Sequence, residues 1–194
     1  MVNVQSILAS NFRTFILRTD HSLLVAGDNY HYNFGGYVND NATTFKQIMT
    51  DVQSVSAGVT STIVLKTDQT LWALGDGTVG QFGDGTTGIA HVAKQIMTNV
   101  KAVSSGDSHT MVLKADNTLW VSGQNNYGQI GEGNNTIVRT FKQVMVEVKE
   151  VKANHVHTLI LKNDNTIWVT GNNASGQLGD GSTVAKNSFT EIKL

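Results

Sequence analysis

Residues 119–133 read LWVSGQNNYGQIGEG, and 48 residues further on the chain repeats the pattern as IWVTGNNASGQLGDG at 167–181. The stretch LWALGDGTVGQFGDG at 71–85 lies the same distance upstream, and a looser version stands at 23–37. The same step relates HTMVLK to HTLILK, and four copies account for nearly all 194 residues. The sequence therefore predicts a single repeat domain, 1–194, with repeats at about 1–50, 51–98, 99–146 and 147–194.

Each repeat contains four short segments rich in β-branched and aromatic residues, which is typical of strands. In the second repeat these segments are Val52–Val55, Thr62–Lys66, Thr70–Leu74 and Ala93–Met97. The pair Asp68-Gln69 predicts a tight two-residue hairpin between the second and third segments. A small sheet buries both faces only by stacking on its neighbours. We therefore predict an all-β fold, a β-propeller built from four blades of four antiparallel strands, with Trp72, Trp120 and Trp168 packed between blades.

The chain has 14 Lys and Arg residues against 15 Asp and Glu residues, which gives a net charge of −1. This balance argues against a nucleic-acid binder, since such proteins need basic side chains to displace counterions, and against a polybasic membrane-surface protein. The sequence has no cysteine, which excludes a disulfide framework and thiolate chemistry. No apolar run approaches the ~20 residues of a membrane-spanning helix, and no signal peptide is visible. We expect no nucleic acid and no membrane insertion, and the compartment stays open.

The glycine-rich stretches share the form G-x4-G-Q-[FIL]-G-[DE]-G, preceded by [IL]-W and, in the third and fourth repeats, by H-T-x-x-L-K-x-D. This combination resembles the repeat of the RCC1 (regulator of chromosome condensation) family over the whole chain. The resemblance implies a seven-bladed propeller, whereas this sequence holds four repeats and no proline before the fourth segment. By resemblance, relatives act as small-GTPase exchange factors, chromatin binders or bacterial protein inhibitors, and no residue signature of those activities can be carried over.

Glycine recurs where each third segment ends and the chain turns back sharply. Such turns need a positive φ or a close backbone approach, which glycine permits without strain. We expect Gln81, Gln129 and Gln177 to hold the same turns by bonding nearby backbone groups. The glycines with this predicted structural role are Gly80, Gly83, Gly85, Gly128, Gly131, Gly133, Gly176, Gly179 and Gly181.

The first repeat departs from the pattern at residues 28–37, which read DNYHYNFGGY. Tyr32 stands where the second repeat has Gly80, and Tyr37 where it has Gly85. One interpretation is drift, since terminal repeats are commonly atypical. The other is a recognition surface, because tyrosine offers a large, rigid contact area with a polar end. On the second interpretation the partner-binding residues are Tyr30, His31, Tyr32, Phe34, Tyr37, Tyr127 and Arg139.

Two glycine-rich motifs superficially suggest ligand binding. Gly75-x-Gly77-x-x-Gly80 matches a dinucleotide fingerprint, but no helix is predicted after it. The loops that begin at Asp84 and Asp180 look like calcium loops, but each carries one acid where calcium needs six or more oxygens. Turn formation explains both motifs better.

Histidines and carboxylates give no stronger signal for catalysis or metal binding. His155 and His157 would face one side of a strand and could share a metal. However, His157 occupies the repeat position of Arg13, Ser61 and His109, and a position that accepts arginine and serine is not a ligand shell. We expect no catalytic residue, no metal site and no cofactor.

Taken together, these features favour a non-enzymatic β-propeller platform for protein–protein interaction. An open arc of four blades would expose two apolar blade faces, so we expect a homo-oligomer, a dimer whose chains complete one ring. A small four-bladed ring and a piece of a longer chain stay open as alternatives. Other functional alternatives are a structural or attachment component of a secreted, cell-surface or virion assembly and, by resemblance, a small-GTPase exchange factor or enzyme inhibitor.

Overall fold

The computed structural model describes residues 3–38 and 40–193, which form sixteen strands and no helix. Blade 1 consists of β1 (Val4–Ser10), β2 (Arg13–Arg18), β3 (Leu23–Gly27) and β4 (Ala42–Met49). Blade 2 consists of β5 (Val52–Ala57), β6 (Ser61–Lys66), β7 (Leu71–Asp76) and β8 (Ile89–Met97). Blade 3 consists of β9 (Val100–Ser105), β10 (His109–Lys114), β11 (Leu119–Gly123) and β12 (Val138–Met145). Blade 4 consists of β13 (Val148–Asn154), β14 (His157–Lys162), β15 (Ile167–Gly171) and β16 (Lys186–Ile192).

Each blade is an antiparallel sheet whose four strands lie side by side in chain order. The predicted all-β architecture of four blades with four strands each is thereby confirmed. Between blades, β5 contacts β9 and β9 contacts β13. These contacts place the first strand of each blade at the inner edge of the arc and the fourth strand at the outer edge. None of the described residues belongs to a helix that is long and apolar enough to span a membrane.

The hairpin between the second and third strands is longer than the sequence predicted. Lys66 N donates to Thr70 O at 2.9 Å, and Gln69 N donates to Lys66 O at 3.0 Å. The loop therefore has three residues, 67–69, with Gln69 at φ 65°, which is the geometry of a turn followed by a left-handed residue. The two-residue prediction was wrong because Asp68 does not itself take the left-handed conformation: it caps the turn, and its Oδ1 accepts Thr70 N at 3.0 Å.

One chain of hydrogen bonds recurs at this hairpin. In blade 3, Thr118 Oγ1 donates to Asp116 Oδ1 at 2.6 Å, and Trp120 Nε1 donates to Thr118 Oγ1 at 2.9 Å. Blade 4 repeats it with Asp164 and Thr166. The threonine hydroxyl thus connects the turn to the tryptophan ring and fixes the ring against the neighbouring blade.

We expect the substitution Thr118→Val to raise the pKa of Asp116 toward 3.8. The pKa of Asp116 is lowered below 3.8 chiefly by the hydroxyl of Thr118 and then by its backbone N–H, because both donors favour the charged carboxylate. Valine keeps the shape and the N–H but lacks the hydroxyl. An NMR titration should show the rise at Asp116 and no change at Asp164, the internal control. An unchanged Asp116 would contradict the assigned cause.

The hydrophobic core is divided among clusters that lie between neighbouring blades. Between blades 3 and 4 the cluster joins Met111, Leu113 and Leu119 of one blade to Val148 and Ile160 of the next. Trp168 packs against this cluster as a partly buried side chain, and Trp120 and Trp72 have the same place in the other two. Full burial of one leucine contributes roughly 2 kcal/mol. Burial of these side chains between neighbouring blades therefore makes a large contribution to the stability of the fold.

The arc is open in the part of the chain that the structure describes. Its three apolar clusters join blade 1 to blade 2, blade 2 to blade 3 and blade 3 to blade 4. At one end Ile7 of β1 is 77% exposed. At the other end Leu161 of β14 is partly exposed, although its equivalent Leu113 is 1% exposed.

Candidate binding surface

The turns between first and second strands and the loops between third and fourth strands meet at one end of the arc, because the strands alternate in direction. We call this end the loop face. In blade 1, Asp28 N donates to Phe12 O at 3.0 Å, which ties the loop to the turn. The other blades repeat the contact, for example Asp76 N with Thr60 O at 2.9 Å. Every blade therefore contributes one loop tied to one turn to the loop face.

Glutamine side chains hold the loops of blades 2 to 4. Gln129 Oε1 accepts Tyr127 N at 3.0 Å, and the equivalent bonds join Gln81 to Val79 and Gln177 to Ser175. This is the role expected for these glutamines from the sequence. The loops are also tied to the next blade, since Thr158 Oγ1 donates to Gln129 O at 2.8 Å.

The predicted turn glycines all have positive φ, between 66° and 89°. They are Gly80, Gly83, Gly85, Gly128, Gly131, Gly133, Gly176, Gly179 and Gly181. At Gly128 the backbone of the next blade comes so close that an added Cβ would lie 2.6 Å from Lys186 O. Glycine at this position therefore permits both the turn and the blade-to-blade approach.

Phe34 does not belong to the exposed patch predicted from the sequence. Its side chain is 5% exposed and lies in the cluster between blades 1 and 2. The residues at its repeat position are buried too: Phe82 at 2%, Ile130 at 0% and Leu178 at 3%. Phe34 is therefore the apolar anchor of its loop. The prediction placed it at the surface because it treated the aromatic residues of repeat 1 as one group.

Tyr30 and His31 line a recess of about 290 Å³ at the boundary of blades 1 and 2, together with Phe12 and Val59. Three of these side chains are strongly exposed: Phe12 at 83%, Tyr30 at 65% and Val59 at 38%. The Tyr30 and His31 rings meet edge to face at 5.1 Å, and His31 Nδ1 lies 3.9 Å from Asp76 Oδ2. We call Phe12, Tyr30, His31 and Val59 the aromatic patch.

Arg13 fixes the floor of this recess. It is 3% exposed, and its guanidinium donates to Gly58 O, to Val59 O at 3.0 Å and to Thr62 Oγ1 at 3.3 Å. Burial lowers the pKa of Arg13 to about 10, and the charge of Asp28 opposes that shift. Arg13 therefore stays charged at neutral pH and joins the turns of blades 1 and 2 below the aromatic patch.

Tyr32 and Tyr37 lie on the other side of the same loop, against His91 of blade 2. The His91 ring meets Tyr32 edge to face at 4.4 Å and stacks on Tyr37 at 4.9 Å. His91 Nδ1 also lies 2.9 Å from Gly36 O. Tyr37 is 76% exposed, while Tyr32 is only partly exposed. Tyr32 thus connects two blades, and Tyr37 presents its outer face to solvent.

Tyr127 and Arg139 belong to blade 3, so the predicted residues form separate groups. Tyr127 is 47% exposed on its loop. Arg139 lies against the loop of blade 2, where a Cβ at Gly80 would be 3.0 Å from Arg139 Cγ. Blade 2 stands between these residues and the loop of blade 1.

Sequence reasoning missed Phe12 and His91. Phe12 stands in a turn where the other repeats have Thr60, Ser108 and Val156. The 48-residue step already carries this contrast, because one phenylalanine stands against a threonine, a serine and a valine. His91 stands at the repeat position of Arg139, and nothing in the sequence placed it beside the tyrosines.

Histidines of the loop face do not assemble a metal site in residues 3–38 and 40–193, where no group of three or more possible ligands is found. His155 Nδ1 lies 3.0 Å from Asp107 Oδ1. His109 is fully buried between blades 3 and 4, and burial, followed by the charge of His157, lowers its pKa to about 3. Burial also lowers the pKa of His157, with a further contribution from His155.

The stacked four-stranded blades and their glycine-rich loops define the class of protein as a repeat propeller of the RCC1 type. Residues 100–129 and 148–177 match the family described as the regulator of chromosome condensation (RCC1) repeat. Two of the four repeats therefore match the RCC1 repeat family directly, and the whole chain shares the fold of the RCC1 propellers. No curated protein sequence matches it significantly.

Solved propellers show the same fold at low sequence identity. Human WBSCR16 is 17% identical with a TM-score of 0.87, over 98% of this chain and 53% of that one. Yeast RCC1 (Prp20), in its complex with Kap60, is 15% identical with a TM-score of 0.87, over 100% of this chain and 49% of that one. Prp20p from Saccharomyces cerevisiae is 16% identical with a TM-score of 0.86, over 100% and 51%. The chain thus spans about half the length of these structures.

Proposed function

We propose that this chain is a non-enzymatic platform for protein–protein interaction that associates with itself to complete a ring. The observation that carries the first part is the aromatic patch of Phe12, Tyr30, His31 and Val59. Large apolar side chains that cluster on a surface mark contact sites, and tyrosine is enriched among the few residues that provide most of the binding energy at such sites. Arg13 holds the patch on two rigid blades, so binding requires little ordering.

A binding role also fits the way in which the turns and loops use their polar side chains, because these side chains form structural hydrogen bonds. The aspartates at the hairpins accept hydrogen bonds from the turns that they cap, as Asp116 does from Thr118. The glutamines are used in the same structural way. Of the similar structures, yeast RCC1 (Prp20) is in complex with Kap60. That complex agrees with a platform role and names no partner for this chain.

The proposal is tested by capturing partners with the wild-type chain and with a patch variant, Phe12→Ser/Tyr30→Ala. Both side chains are exposed, so the variant should fold normally, which circular dichroism checks. Loss of two aromatic anchors is expected to raise the Kd for a genuine partner about a hundredfold. Tyr127→Ala, an exposed tyrosine on blade 3, is the matched control and should leave that Kd within about twofold. A partner that binds the patch variant as tightly as the wild type would contradict the assignment.

The second part, self-association, is supported by the open arc. Blades 1 and 4 each leave one apolar face exposed, and exposed faces of this kind favour association. Inside the arc, the equivalent apolar faces are covered by the neighbouring blade.

A further inference from the structure

The face of blade 1 that points away from blade 2 has the composition of a surface that packs between blades. Val4 is 47% exposed, whereas its equivalents are 0% exposed: Val52, Val100 and Val148. Thr14 is exposed as well, while its equivalents are at most 1% exposed: Thr62, Thr110 and Thr158. Ile7 at 77% and Phe45 at 46% extend the same face. We call Val4, Ile7, Thr14 and Phe45 the blade 1 edge.

Blade 4 presents the complementary face at the other end of the arc. Leu159, Leu161 and Ile167 line an open groove of about 230 Å³, together with Glu150 and Lys152. The equivalents of the three apolar residues in blade 3 are covered by blade 4 and at most 1% exposed: Met111, Leu113 and Leu119. The blade 4 groove therefore matches the face on which blade 4 itself packs.

One contact recurs where two blades meet: a phenylalanine of the fourth strand lies over a loop glycine of the preceding blade. A Cβ at Gly83 would overlap the Phe141 ring, and one at Gly131 would overlap the Phe189 ring. The backbone reinforces the first contact, since Phe141 N donates to Gly83 O at 2.8 Å. Above Gly179 of blade 4 the space is open, with no atom within 4 Å of an added Cβ.

We propose that the blade 1 edge of a second copy docks on the blade 4 groove, with Phe45 entering the space above Gly179. This inference rests on the self-association proposed above and assigns it to one pair of surfaces. The internal contacts supply the pattern: Phe45 N donates to Gly179 O of the other copy, as Phe141 N does to Gly83 O. Thr14 Oγ1 then donates to Gln177 O, as Thr158 Oγ1 does to Gln129 O.

Two copies suffice to close the ring, because each copy carries both surfaces. A twofold rotation about the propeller axis brings blade 1 of each copy onto blade 4 of the other. Two chains of four blades give eight, which lies within the range of roughly four to eight blades found in propellers. This arrangement covers the blade 1 edge and the blade 4 groove of both copies.

A cysteine cross-link tests the docking directly, since the chain has no cysteine of its own. Inside the arc, Glu132 forms a β-bridge with Ser188 across the boundary of two blades. The 48-residue step gives Asp180 and Thr44 as the equivalent pair between copies. Bridged strand positions lie within reach of a disulfide.

Mixing T44C chains with D180C chains under mild oxidation should therefore give a disulfide-linked pair. Each variant alone should stay unlinked, because the proposed contact joins unlike surfaces. The double variant should form a closed dimer and no longer species on a non-reducing gel. The proposal would be overturned if T44C chains linked to one another as readily as to D180C chains, or if the mixture gave no linked pair.

Sedimentation with edge variants separates this docking from self-association in general. Ile7→Lys places a charge in the docked surface and should raise the dimer Kd about a hundredfold or more. Val92→Lys, at a side chain that is 66% exposed on blade 2, is the matched control and should leave the Kd unchanged. Circular dichroism checks that both variants fold.

The outcomes separate the docking, the self-association and the ring closure. A wild-type chain that stays monomeric at every concentration overturns both the docking and the self-association. A dimer that tolerates Ile7→Lys overturns the docking alone, and polymers longer than the dimer overturn ring closure. The partner-capture test of the aromatic patch uses Phe12 and Tyr30, which lie outside the docked surfaces, so its result is independent of these outcomes.

Discussion

Replacing Gly128 by alanine is expected to lower the free energy of unfolding by about 3 kcal/mol. Gly128 has a φ of +77°, which strains any residue that carries a Cβ. The new methyl group would also lie 2.6 Å from Lys186 O and closer still to Asn187 Cα. These backbone atoms are held in place, because Gly133 N donates to Asn187 O at 2.7 Å. Blade 4 must therefore move away from blade 3, which loosens the core between them.

The repeat provides a matched control in Gly176→Ala. Gly176 has a similar φ of +73°, but its nearest neighbour, Ser182 O, lies 3.9 Å from an added Cβ. This variant meets only the backbone strain and should lose about 1 kcal/mol. Chemical denaturation at concentrations that keep the chain monomeric measures both values. The difference of about 2 kcal/mol isolates the clash between blades, and equal losses would show that β16 moves aside freely.

Spacing predicted the architecture because the repeat fixes equivalent positions. The 48-residue step from Leu71 to Leu119 identified equivalent strands, and the structure buries both leucines at 0% exposure. Composition alone was a poorer guide to individual side chains. Phe34 was assigned to the surface as one aromatic residue among several, although its repeat position holds Phe82 and Ile130, both apolar and buried.

Other features depended on contacts that a single repeat does not encode. The position of Arg13 holds Ser61 in blade 2 and His109 in blade 3, which suggested a tolerant site. The structure shows that each of these side chains is buried where its blade meets the next. The long arginine reaches the carbonyl of Val59, whereas histidine reaches Thr158. Different side chains therefore fill the same position between blades, and their contacts are visible only in the assembled blades.

His109 is expected to make the protein lose stability as the pH falls below about 6.5. Its Nε2 lies 3.1 Å from Thr158 Oγ1, whose own hydrogen is donated to Gln129 O. Nε2 must therefore carry the proton, and the buried Nδ1 has no hydrogen-bond partner in the described residues. A second proton would place a charge in the buried contact between blades 3 and 4, which is why burial lowers the pKa of His109 to about 3. The unfolded chain binds that proton near pH 6.5.

Between these two values the unfolded state holds more protons, so the free energy of unfolding falls by up to about 1.4 kcal/mol per pH unit. The loss should reach about 2.5 kcal/mol at pH 4.5 relative to pH 7.

His109→Ser, which copies Ser61 of blade 2, removes this titration. The variant starts less stable at pH 7 because a cavity replaces the ring, but its stability should fall less steeply between pH 6.5 and 4.5. His157 contributes to the remaining slope, since burial lowers its pKa too. The hairpin aspartates titrate below this window, because hydrogen bonds from Thr70, Thr118 and Thr166 hold the pKa values of Asp68, Asp116 and Asp164 under 3.8. Parallel curves for the wild type and His109→Ser, measured by chemical denaturation, would mean that His109 becomes protonated in the folded protein without disturbing the contact between blades 3 and 4.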